Sequence, residues 1–250
     1  MAPRDTHLQN AKTVLAKLRA RDIEIPQPVI DAEIEWQRIR AMRPAEPSPT
    51  AVREAVLAGA TREQIDTLIL ESLGHGLLAV GVAQAEIDAA GRVLAAVRDQ
   101  AEPLFEQLRA LAEIRVEAVE HAAGLGPIDT VSTLVSAGRN EDAKALADLE
   151  VNTAELAALR GLSWYLWLDG YLGAVTEGID ATVWSNPDTA GHHSKLGLAP
   201  GENQVAIIRA GGQLWFPSQA EALAAAEKIA ATRRREQATA REKQLATHGF

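Results

Sequence analysis

Asp188, His192 and His193 are the only grouping in this sequence whose residue types match metal ligation. A bound ion needs three or four donors converging from fixed elements, usually at a spacing set by a helix or a turn. Two adjacent His in a Gly-rich stretch point instead to a solvated loop. The acid pair Glu113/Glu117 lies one turn apart, but on the outward side of a patterned helix, where no desolvated pocket would tune either carboxylate for proton transfer. His75 and His121 stand apart on helical segments. No G-x-S-x-G, phosphate loop, H-E-x-x-H or dinucleotide fingerprint occurs. The chain has no Cys, which removes thiolate metal sites, disulfides and Cys nucleophiles together. No catalytic, cofactor or metal site is therefore expected, although an enzyme whose site forms between subunits remains a third reading.

Binding chemistry has better candidates. Trp164, Tyr165, Trp167 and Tyr171 place four of the ten aromatics within eight residues. Aromatics at helical spacing make either core or a docking anchor, since Trp and Tyr are enriched where interfaces bury most energy. Trp215 and Phe216 are expected to pack on the same cluster.

These residues must be positioned by helices. Read in sevens, residues 87–122 put Ile87, Ala90, Leu94, Val97, Ala101, Leu104, Leu108, Leu111, Arg115, Ala118 and Ala122 at the two inner positions. Arg92, Asp99, Glu106, Glu113 and Glu120 take the outermost position, so one face stays in water. A continuous rod of this length would span on the order of 50–60 Å. Val93, Phe105, Ala112, Ile114 and Val119 widen the stripe, which suits a bundle with several neighbours. Pro103 predicts a kink, or a break and restart, between Asp99 and Pro103. The seam (Leu94, Val97, Leu104, Leu108, Leu111) either closes on residues 141–175 of the same chain or meets a second copy or another protein, with Trp164, Trp167 and Tyr171 as further contacts.

The remaining chain is expected to be mainly α. Residues 1–43 read as a helical hairpin: one helix from Thr6 to about Arg21 with Leu8, Ala11, Leu15 and Leu18 inward, and one from Pro28 to about Arg43 with Ile30, Ile34, Trp36 and Ile39 inward. Residues 44–50, with three prolines, form a linker. Residues 51–177 form a helical, coiled-coil-like body, in which Thr61-Arg62-Glu63-Gln64 is a capping box and Gly74-His75-Gly76 is expected to interrupt the helix it opens. After a turn at 124–127, a short helix at 128–137 and a long one at 141–175 follow. Residues 178–203 read as a loop. Residues 204–250 read as a β-hairpin, Val205–Arg209 and Gln213–Phe216 around Ala210-Gly211-Gly212, then a basic Ala-rich helix opened by the capping box Ser218-Gln219-Ala220-Glu221.

Charge is distributed unevenly around the net −9. Residues 1–21 carry five Lys/Arg against one Asp, and residues 228–250 six against two Glu, so each end is +4. The body between 51 and 227 is −14. An acidic body repels nucleic acid, while basic tails can meet phosphate or another acidic surface. The 19 Arg against 6 Lys, with abundant Ala, suggest a GC-rich bacterial or phage genome. The polar start and the short apolar run at 161–175 suggest no leader and no membrane span, hence a cytoplasmic protein, or a virion component if phage-encoded.

Ala55, Gly59 and Ile65 stand at the small–Gly–apolar spacing of a helix-turn-helix, and residues 55–61 resemble the first helix and turn of such a unit. The resemblance implies DNA contact through Arg62, with Arg233, Arg234 and Arg235 able to add phosphate contacts. Yet the would-be reading helix, 61–71, has a net charge of −2, which opposes phosphate binding. The same helix–Gly-Ala-Thr–helix unit is similar to those of carboxymuconolactone-decarboxylase-like proteins, whose redox members use a thiol that is absent here. The first expectation is a non-enzymatic α-helical assembly or adaptor protein that self-associates or binds a protein partner, a virion component if phage- or prophage-encoded. The alternative is a helix-turn-helix DNA-binding protein, similar in layout to a small terminase subunit.

Overall fold

A computed structural model describes residues 3–44, 50–126, 128–167, 175–176, 179–187 and 200–248. The fold is mainly α, and the chain divides into two compact units, Met1–Gln100 and Ala101–Phe250. Residues 45–49 of the expected 44–50 linker, Tyr171 and the Asp188/His192/His193 group lie outside the described residues.

In the first unit, α1 (Pro3–Arg19) and α2 (Gln27–Ala41) form the expected hairpin, with Pro28 in the first turn of α2. The turn after α1 is closed by backbone chemistry: Ile23 N–H donates to Leu18 O and Asp22 N–H to Arg19 O, both at 3.1 Å. That double closure needs a left-handed residue, and Asp22 takes it at φ 54°. Both helices pack on the C-terminal half of α4 (Arg62–Asp99), where Val82, Ala89, Ala90, Val93, Leu94 and Val97 meet Val14, Leu15, Leu18, Val29, Trp36 and Ile39 in one core. Ile34, expected inward, is exposed; Glu33 takes the inward position, held by both terminal nitrogens of Arg19. The period of α2 is as read, but its face is rotated because the Arg19 ion pair lets a carboxylate into the buried stripe.

The α4 helix also corrects the expected break at Gly74-His75-Gly76. Its 38 residues run unbroken, about 57 Å. Glycine costs a helix about 1 kcal/mol per position but removes no hydrogen bond, so it weakens where proline would stop. The interruption near Pro103 falls at Gln100, which leaves helical geometry at φ −105° and ψ 26°. Helix α5 (Ala101–Gly124) begins at the next residue with Pro103 in its first turn, where the missing N–H costs no internal bond.

In the second unit, α5 packs on α8 (Leu149–Leu166), with Leu104, Phe105, Leu108 and Val119 against Leu156, Leu159, Leu162 and Leu166. Between them in the sequence come α6 (Val131–Ser136) and α7 (Asn140–Ala147), which bury Leu134 and Ala143 beside Leu125. The long helix expected over 141–175 is two helices parted at Asp148, the second ending at Leu166. A two-residue antiparallel pair follows: β1 (Val175–Thr176) and β2 (Ile179–Asp180), with Val175 opposite Asp180. Residues expected in the 178–203 loop thus begin in β2 and end in a helix.

The C-terminal β-hairpin is not formed. Val205–Arg209 belongs to α9 (Pro200–Arg209), and Ala210-Gly211-Gly212 is its cap. Gly211 sits at φ +95°; Gly211 N–H donates to Ile208 O and Gly212 N–H to Ile207 O, each at 2.9 Å. The same Gly-Gly pair that suggests a hairpin turn therefore closes a helix. Gln213–Phe216 is extended but bridges residues 183–185 instead, through a Trp184–Leu214 pair. Finally α10 (Gln219–His248) opens with the expected capping box, Ser218 N–H donating to Glu221 Oε2 and Glu221 N–H to Ser218 Oγ. Its apolar start buries Ala222 and Ala226 with Ala181; its polar stretch from Arg234 to Gln244 is exposed.

Candidate functional site

The strongest candidate surface is the N-terminal half of α4 with the short helix before it. Helix α3 (Ala51–Leu57) ends in a left-handed Gly59 at φ +81°, with Ala60 N–H donating to Ala55 O at 2.9 Å. Thr61 then starts α4 as a reciprocal cap, its N–H donating to Gln64 Oε1 at 2.9 Å and its Oγ1 accepting from Gln64 N–H. The turn is as the sequence implies. What it launches is a helix whose first twenty residues gain little cover from α1, α2 or α3.

Ile69, Leu70, Leu73, Leu77, Leu78 and Val80 are between 41% and 78% exposed. At ~100° per residue, all of these but Leu78 share about 100° of arc, on the opposite side of α4 from the Val82, Glu86, Ala89, Val93 and Val97 core stripe. Val52, Val56 and Leu57 of the preceding helix α3 are also exposed. The five α4 side chains on that arc amount to a patch on the order of 500 Å², within the range for the largest patch on a monomer. Sequence reading missed this surface because the supposed break at Gly74-His75-Gly76 divided it. The available signal was an uninterrupted apolar run without a polar face, which a helix tolerates only when surrounded. By length and composition α4 is also long and apolar enough to cross a membrane, a segment that the expectation of no membrane span left out of account.

The expected seam is occupied within the chain. Leu94 and Val97 are buried in the α4 core stripe, Leu104 and Leu108 in the α5 core, and Leu111 is half-buried. They belong to two separate cores in two units, as the width of the stripe, which suits a bundle, implies. Arg115, at an inner heptad position, donates to the buried Asn152 of α8 at 3.1 Å. Trp167 belongs to an aromatic cluster centred on Phe105, whose ring lies 5.1 Å from Trp167 and 5.5 Å, stacked, from Phe216. Arg109 covers that ring at 4.7 Å and pairs with Glu221. Trp164 is 47% exposed.

The DNA candidates are divided between the two units. Arg62 is turned onto Asp66 one helical turn away, at 3.1 Å. Arg234 and Arg235 are exposed and Arg233 half-buried on the polar part of α10, in the other unit. Burial, with the charge of Glu117 adding to it, pushes the Glu120 carboxyl above the usual carboxylate range, but no acceptor or base is paired with it. A cavity of about 310 Å³ in the second unit is lined by Asp129, Glu202 and Arg209, and the Arg209 Nε is spent on Ala123 O at the end of α5, at 3.0 Å. A smaller one, about 180 Å³, lies between α1 and α2 over the Arg19–Glu33 pair. Among the described residues no group of three His, Asp or Glu could hold a metal ion. No family model, no curated protein and no solved structure matches this chain.

Proposed function

We propose that this chain is an assembly or adaptor protein, not an enzyme, and that it docks a protein surface through the apolar face of α4 over residues 62–82. The observation that carries the reading is the exposure of Leu70, Leu73, Leu77 and Val80 along one side of a continuous helix. Water-exposed aliphatic area of that size is stabilised only by being covered. A protein suits the face better than a bilayer. Glu71 and Glu86 bound an uncharged run of 14 residues, about 21 Å of helix against the ~30 Å of a hydrocarbon core. The acidic balance of the chain also opposes anionic lipid headgroups. A place in a phage particle rests only on the Arg- and Ala-rich composition and the basic ends.

The test is site-specific photocrosslinking in cells, with the reactive group at Leu77 and, as control, at Ile34, which is exposed on α2 away from the patch. The reading expects a discrete protein adduct from Leu77 and none from Ile34. Failure of both positions to give an adduct would sink it.

A further inference from the structure

We infer that the occupant of the α4 face is a second copy of this chain, laid antiparallel across it about a two-fold axis at the level of His75. The inference rests on the docking reading above and names its partner. Three observations converge on it.

The face is self-complementary about that point. An antiparallel pairing centred at residue 75 sets each position i against position 150 − i of the second copy. Leu73 then meets Leu77 and Leu70 meets Val80, so the exposed side chains cover one another from both sides of the axis. Beyond this apolar centre, Asp66 faces Gln84, an acceptor against an amide donor. Arg62 faces Asp88, opposite charges on exposed residues at each end of the contact. A like-sense, parallel pairing would instead align Asp66 with Asp66 and Asp88 with Asp88.

Glycine use points the same way. Gly74, Gly76 and Gly81 lie in mid-helix, and a Cβ at any of them would meet nothing within 4 Å. Packing within the chain therefore does not require them, although each costs the helix about 1 kcal/mol relative to Ala. They flank the leucine face, Gly76 on one side and Gly74 and Gly81 on the other. There the missing side chains let a second helix backbone approach closely.

The area fits a weak dimer. The five aligned α4 side chains expose on the order of 500 Å² per partner, at the low end for specific interfaces, so dissociation on dilution is measurable. A two-fold contact of this kind closes on itself and leaves no further copy to recruit.

The experiment is solution mass by size exclusion with light scattering on the full chain, with dimer dissociation followed by dilution. The wild type is expected at twice the 26.8 kDa chain mass. Leu73→Glu and Leu77→Glu are expected at the single-chain mass with helicity retained. Arg62→Asp and Asp88→Arg should each weaken the dimer roughly tenfold, since each turns two symmetric attractions into repulsions, and the double swap should recover most of the loss. Gly76→Ala should weaken association while raising the helicity of the monomer. A wild-type single-chain mass, a double swap as weak as either single, or an unchanged Gly76→Ala dimer would overturn the inference. A Leu77 photoadduct to a different protein would also overturn it while leaving the docking reading standing; no adduct at all would remove both.

Discussion

Glu86 lies in the middle of the α4 core stripe, 1% exposed, and its carboxylate is held by the guanidinium of Arg43, just beyond the end of α2. The Nε–Oε2 distance is 2.6 Å. A carboxylate buried among Val82, Ala89, Ala90 and Val93 is tolerable only with that partner. The pair therefore ties the end of the hairpin to one register on α4.

Removing one partner should cost more than removing the need for both. Arg43→Ala is expected to destabilise the first unit by about 3 kcal/mol, because the buried carboxylate is left without compensation. Glu86→Leu, which removes the charge and keeps the volume, should be near neutral. Urea denaturation followed by circular dichroism measures both; equal losses would mean that Glu86 is hydrated in solution.

The seam positions and the exposed face should respond in opposite ways to the same substitution. Leu108 is fully buried in α5, so Leu108→Glu is expected to abolish cooperative unfolding of the second unit, at a cost of several kcal/mol. Leu77→Glu, on the exposed face, should keep cooperative unfolding of both units and lose only the concentration-dependent part of the wild-type melting temperature. Differential scanning calorimetry distinguishes the two. A fold-preserving Leu108→Glu would show that this seam is covered by another chain.

The cap of α9 makes a specific demand at Gly212. A Cβ there would stand 2.4 Å from Ile207 Cγ2 and 2.9 Å from Ile207 O. The second contact is backbone and cannot move aside. Gly212→Ala should therefore destabilise by about 1–3 kcal/mol, in the range of local backbone strain. A thermal shift assay would detect it; a variant as stable as wild type would favour the hairpin turn that the sequence suggests.

Acid should loosen the start of α10. Burial alone would raise the Glu221 carboxyl, but the Ser218 backbone N–H, the Ser218 side chain and Arg109 outweigh it and hold the group below the ordinary carboxylate range. A carboxyl depressed in the folded state favours folding above its unfolded pKa, and that contribution is lost as pH falls through the folded value. Wild type should thus exceed Glu221→Gln in stability at neutral pH, and the gap should close below the usual carboxylate range. A gap that persists in acid would mean that the substitution acts through packing.

The sequence by itself determined the local chemistry of this protein. The helical class, the Thr61–Gln64 and Ser218–Glu221 caps, the Gly59 turn and the interruption before Pro103 are all readable, because each depends on residues within one or two turns. Tertiary structure decided which faces are covered. Only the Arg19 and Arg43 partners explain how Glu33 and Glu86 come to be buried, and only packing shows Ile34 outside. Val205–Arg209 is a short apolar run that fits period 2 and period 3.6 equally, so its helical state follows from docking on α5 and α8. Leu104 and Leu77 look alike in sequence, both aliphatic on patterned helices. One is buried and the other 78% exposed, because burial depends on whether a neighbour reaches the residue, and that is a property of the assembled chain.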